Sequence, residues 1–224
     1  MKRILFITGT DTGAGKTVLT ALLAQYLRGR GISVAVLKPV CSGGREDALA
    51  ICDALGGTLP LDEINPWHFH AAIAPSLAAQ REKQTVKLAT VLAHIRVTRG
   101  KFDVTLVEGA GGLLSPLGED FDSRALMAAL RATPIIVAQN KLGAVNHLLL
   151  TLEALPKNLR GRAKIVLVSP PKPDAASAAN SKLLASFLPR GGIFTLPWLG
   201  KPFSPTAALK KTVVKRTLAA LVRI

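Results

Sequence analysis

Six short apolar runs rich in β-branched residues alternate with amphipathic stretches, and a glycine-rich turn ending in Lys-Thr joins the first run to the first such stretch. These observations predict an α/β fold in a single domain spanning residues 1–224, a mostly parallel sheet with helices on both faces. In such a sheet ligands sit at the carboxyl ends of the strands, and that is where the polar residues of interest fall.

The first strand is expected at 2–8 and the first helix at 16–28, where Val18, Leu22, Leu23 and Leu27 recur at helical spacing. Between them lies GTDTGAGKT, residues 9–17. A strand, a glycine loop and a helix N-terminus form an anion site. Backbone N–H groups from Gly13 to Thr17 wrap a phosphate, Lys16 reaches the β- and γ-phosphates, and the Thr17 hydroxyl serves Mg²⁺. The loop Asp11, Thr12, Gly13, Ala14, Gly15, Lys16 and Thr17 is therefore read as nucleotide-binding, and the fold as that of a P-loop NTPase. One position departs from the usual pattern: Gly9 and Gly15 enclose five residues rather than four, so Thr10 stands where the first glycine belongs.

A second strand at 33–39 ends in Lys38, followed by PVCSGGREDALAI and a helix at 47–55. Lys38 is expected to emerge beside the phosphate loop and neutralise charge that develops during phosphoryl transfer. Ser42, Gly43 and Gly44 form a turn, and Asp47 in the next helix is read as a Mg²⁺ ligand. The stretch 57–84 has no clear period. After a helix at 86–98, a third strand at 103–108 ends abruptly in Glu108, ahead of Gly109, Gly111 and Gly112. A carboxylate at the tip of a buried strand needs a partner, and a second Mg²⁺ ligand belongs there. The small residues after it allow close approach of substrate to backbone. The remaining strands are expected at 134–139, 163–169 and 193–197, with helices at 122–131, 145–155, 175–187 and 206–222.

The 224 residues, 49% hydrophobic, suffice for a full core. The run Ile4–Ile7 is too short for a signal peptide and no apolar run reaches membrane length, so a cytoplasmic protein is expected. Cys41 and Cys52 have no metal-type spacing and are read as reduced thiols, and His68 and His70 as structural. The net charge of +15 is uneven: residues 151–224 carry 13 Lys/Arg against 2 Asp/Glu. Such a basic face suits nucleic acid or an anionic membrane, but no recognition motif accompanies it, and neither partner is expected.

Taken together, GTDTGAGKT (9–17), KPVCSGG (38–44), EDA (46–48), VEGAGGLLSPL (107–117), LGAVNHLLLTLEAL (142–155) and LPWLG (196–200) resemble, in order and spacing, the dethiobiotin synthetases. The resemblance implies closure of the ureido ring of dethiobiotin from 7,8-diaminopelargonate, CO₂ and MgATP, through a carbamate and a carbamic-phosphoric anhydride. It implies catalytic roles for Lys16 and Lys38, and Mg²⁺ ligation by Thr17, Asp47 and Glu108. Thr12, Lys38, Ser42 and Gly111 would meet the carbamate or diamine, and Ser169, Pro197 and Leu199 the nucleotide. It further implies a homodimer in which Leu142, Gly143 and Asn146 of the partner receive the substrate's distal carboxylate. Ser169 departs from the pattern, since family members that select adenine often carry Asn there, and Gly13 replaces a bulkier, often acidic residue. The alternative is a P-loop switch ATPase that binds DNA or membrane through the basic C-terminal third. Partitioning ATPases of that kind carry a lysine where this chain has Asp11, which argues against it. Amidotransferase-type synthetases with a similar loop need a glutaminase domain for which 224 residues leave no room.

Overall fold

The computed structural model describes residues 2–188 and 192–222. In chain order the elements are β1 (Arg3–Gly9), α1 (Lys16–Arg28), β2 (Val34–Leu37), β3 (Val40–Ser42), α2 (Glu46–Ala54), α3 (Leu61–Ile64), β4 (Trp67–Phe69), α4 (Pro75–Arg81) and α5 (Leu88–Arg99). They continue with β5 (Val104–Gly112), α6 (Ser123–Ala129), β6 (Thr133–Gln139), α7 (Ala144–Ala154), α8 (Lys157–Arg160), β7 (Lys164–Val168), α9 (Ala175–Phe187), β8 (Gly192–Leu196), α10 (Pro205–Ala208) and α11 (Thr212–Val222).

All six expected strands are present, in a parallel sheet of order β2-β5-β1-β6-β7-β8. Strands buried on both faces read as unbroken apolar runs such as ILFI and VAVL, because helices cover both sides. Leu5 and Ile7 point into one core with Leu19, Leu22 and Leu23 of α1; Ile4 and Phe6 point into the other, with Val91, Ile95 and Leu148. The order reverses beside β1, so the loop after β1 opens at the crevice where α/β sheets bind ligands.

Three expectations need adjustment. The strand expected to stop at Glu108 runs on to Gly112, because its glycine-rich end stays paired with β1 through Gly9 and Gly112. The helix expected over 206–222 is two helices: Lys210 and Lys211 donate to the carbonyls of Ala207 and Ala208, a tightening of the last turn that ends α10. The irregular stretch 57–84 contains two short helices and β4, which pairs with β3 in a second, two-stranded sheet. No helix among the described residues is long and apolar enough to cross a membrane.

Candidate active site

The loop between β1 and α1 is built by glycine. Gly15 has φ +100 at the N-cap of α1, a left-handed conformation that a side chain would strain, and a Cβ there would press on Val168 at the end of β7. The first N–H groups of a helix have no intrahelical partner, so they face outward for an anion. Lys16 opens α1, and its ammonium is held by the backbone carbonyls of Asp11 (3.0 Å) and Gly111 (2.8 Å). Burial lowers the Lys16 pKa, and the neighbouring Lys38 lowers it further. A cation so placed is ready to exchange carbonyls for phosphate oxygens.

Parallel register brings the carboxyl ends of β2 and β5 together. Leu37 lies opposite Val107, so the next residues, Lys38 and Glu108, meet. The Lys38 ammonium is 2.7 Å from Oε1 of Glu108 and 2.8 Å from Oδ2 of Asp47, which α2 brings in. Lys38 lines the cavity beside Lys16 and Thr17 and is only 3% exposed, held within this ion pair network. Burial alone would lower its pKa, but Glu108 and Asp47 outweigh burial and raise it. Asp47 mirrors this: burial raises its pKa, Lys38 more than offsets that, and the net shift is downward.

Asp47 and Glu108 converge on Lys38, and the Thr17 hydroxyl joins them by donating to Oε1 of Glu108 at 2.8 Å. Oε2 of Glu108 is buried and has no hydrogen-bond partner among the described residues. An orphaned carboxylate oxygen beside a hydroxyl and a second carboxylate fits a hard cation that takes most of its ligands from phosphate and water, as Mg²⁺ does. No cluster of three or more His, Cys, Asp or Glu among the described residues suits a metal held by protein alone. His70 pairs with Glu82, and both cysteines are free thiols.

Thr12, Ser42 and Gly111 line a cavity of about 780 Å³ together with Lys16, Thr17, Lys38 and Asp47. The Ser42 hydroxyl donates to the carbonyl of Ile73 (2.6 Å), leaving its lone pairs for a ligand. Ser169, Pro197 and Leu199 follow β7 and β8 and do not line this cavity; Ser169 N–H donates to the Leu196 carbonyl, and its strand neighbour Val168 abuts Gly15. Leu142, Gly143 and Asn146 are exposed at the start of α7, also outside the cavity. Sequence reasoning missed Gln139, whose amide donates to the Gly13 carbonyl at 2.9 Å and props the loop. It ends the apolar run of β6 as Lys38 and Glu108 end theirs, which was the available signal. It also missed the loop Ala72–Pro75 and Ser115, which wall the cavity.

A glycine loop at a helix N-terminus, a paired lysine and a cluster of two carboxylates with a hydroxyl, all at the carboxyl ends of neighbouring strands, define a P-loop α/β protein. A family model described as an AAA domain matches residues 3–205. The ATP-dependent dethiobiotin synthetase of Anaeromyxobacter dehalogenans strain 2CP-C is 37% identical over 226 aligned residues, covering 99% of each chain. That of Methanocaldococcus jannaschii is 39% identical, covering 70% of this chain and 77% of its own. The chain belongs to the dethiobiotin synthetase family. Among solved structures, the ParA protein of pNOB8 bound to nonspecific DNA superposes with a TM-score of 0.59 at 15% identity, covering 100% of this chain and 98% of that one. That likeness concerns the fold alone.

Proposed function

We propose that this protein is an ATP-dependent ligase that closes the ureido ring of dethiobiotin from 7,8-diaminopelargonate, CO₂ and ATP. The observation that carries the reading is the buried Lys38–Glu108 pair beside the phosphate loop, in a chain 37% identical end to end to a dethiobiotin synthetase.

One amine of the substrate takes up CO₂ as a carbamate, losing a proton. A carbamate oxygen then attacks the γ-phosphorus, and the bond to ADP breaks. The second amine attacks the carbonyl carbon of the mixed anhydride; the C–N bond forms as that nitrogen gives up a proton, the C–O bond breaks, and phosphate leaves with the electron pair. No protein nucleophile is needed, so the site works by positioning and electrostatics. Lys16 stabilises the γ-phosphoryl group in transfer. Lys38, its charge fixed by Glu108 and Asp47, holds the carbamate and offsets the negative charge that builds between the reacting oxygens. Thr12, Ser42 and Gly111 orient the carbamate and the diamine. Thr17, Asp47 and Glu108 would hold Mg²⁺, which supplies charge neutralisation and orientation of the phosphates. Ser169, Pro197 and Leu199 flank the nucleotide, with the end of β7 already packed on the loop.

A second copy of the chain completes the site in this reading, bringing Leu142, Gly143 and Asn146 at the helix start of α7 to the substrate's carboxylate. We place the enzyme in the cytoplasm, where ATP and bicarbonate are supplied, and treat residues 1–224 as one functional unit. The test is phosphate release from purified protein with MgATP and bicarbonate, with and without 7,8-diaminopelargonate, alongside sedimentation to determine the oligomer. Release that depends on the diamine supports the reading. Release stimulated by DNA or anionic lipid instead of the diamine overturns it in favour of a switch ATPase.

A further inference from the structure

The acidic groups around the cavity divide unequally among tasks. Glu108 receives Lys38 and Thr17, and Asp47 receives Lys38. Glu46, the first residue of α2, also lines the cavity and is exposed, yet among the described residues its carboxylate has neither a hydrogen bond nor an ion pair. The loop makes room for it: Gly44 has φ +114, and a Cβ on Gly44 would collide with the Glu46 carboxylate. The charges follow the same division: Lys38 engages both Asp47 and Glu108, whereas Glu46 leaves an uncompensated negative charge at the cavity.

An aliphatic diamine is cationic at neutral pH, because such amines titrate near the lysine value of about 10.4. Carbamate formation neutralises one nitrogen and leaves the other in need of an acceptor. We propose that Glu46 is a substrate-binding residue that receives the nitrogen not yet carbamylated, selecting a diamine over a neutral or anionic competitor. The proposal rests on the dethiobiotin synthetase reading above. A carboxylate in the first turn of a helix also favours the helix dipole, and that role alone would alter stability without altering substrate affinity.

The two roles separate in steady-state kinetics. Glu46→Gln is expected to raise KM for 7,8-diaminopelargonate at least tenfold while KM for ATP stays within twofold, and Glu46→Asp is expected to recover most of the affinity. Thermal unfolding of each variant is followed in parallel. A Glu46→Gln enzyme with an unchanged diamine KM and only a lowered Tm overturns the inference and leaves the reading of the enzyme intact. A wild-type protein that forms no dethiobiotin overturns the reading itself, and the inference with it.

Discussion

The Lys38 ammonium and Oε1 of Glu108 lie 2.7 Å apart at the carboxyl ends of adjacent parallel strands, both side chains buried. Register alone makes this pair, since Leu37 and Val107, the residues before them, are opposite one another. A buried ion pair is a weak contributor to stability relative to a well-packed apolar pair, but breaking one side of it is costly. Its presence at the mouth of a phosphate loop therefore points to chemistry rather than to folding.

Replacing Lys38 with Met should lower stability by about 3–5 kcal/mol, because Glu108 is left charged and buried without its partner. The double variant Lys38→Met/Glu108→Gln should be more stable than Lys38→Met. Urea unfolding of the four proteins of this cycle measures the coupling; a double variant no more stable than the single one would count against the pairing energetics.

Lys16 differs in kind. Of its carbonyl partners, Gly111 lines the cavity and Asp11 is exposed, so both can turn to water, and its charge is disfavoured first by burial and then by Lys38. Lys16→Met should abolish turnover and weaken ATP binding at a stability cost under about 1 kcal/mol, whereas Lys38→Met should retain ATP binding and lose turnover by orders of magnitude. Calorimetric titration with ATP, paired with phosphate release, separates the two.

The Asp47 carboxyl is held below the usual range, burial being outweighed by Lys38. A depressed carboxyl contributes stability that is fully present above its unfolded value of about 3.9 and is lost as pH falls through the lower folded value. The stability difference between wild type and Asp47→Asn should thus be constant from about pH 5 to 8 and shrink below about pH 4. Denaturation midpoints across that range would show it, and a difference that grows on acidification would contradict the assignment.

Asp47→Asn should also raise the Mg²⁺ concentration needed for half-maximal turnover roughly tenfold, since a hard cation loses a charged oxygen ligand. Titrating Mg²⁺ at fixed ATP reads this directly; an unchanged requirement would remove Asp47 from the ligand set.

Much of the site was legible because polar residues that terminate apolar runs mark strand ends. Lys38, Glu108 and the GKT of the loop stand out in this way, and their convergence follows once the strands are parallel. Gln139 carried the same signal and was passed over. The β3–β4 sheet was not legible, because each strand is three residues long and held by tertiary register rather than by a period. The break between α10 and α11 leaves no trace either: Leu209, Val214, Leu218 and Leu221 continue an apolar spacing across it. The basic C-terminal third contributes exposed Lys210, Lys211, Lys215 and Arg216 around α10 and α11, none of which lines the cavity, so nothing in the site explains that charge.

The central claim is that a carbamate oxygen becomes a phosphate oxygen during ring closure. Turnover in freshly dissolved ¹⁸O-labelled bicarbonate, with dethiobiotin and phosphate both read by mass spectrometry, tests it most directly. The account predicts one ¹⁸O in the phosphate released for each labelled dethiobiotin formed. Phosphate without label, or released at the same rate when the diamine is omitted, would mean that water rather than a carbamate is the acceptor, and would contradict it.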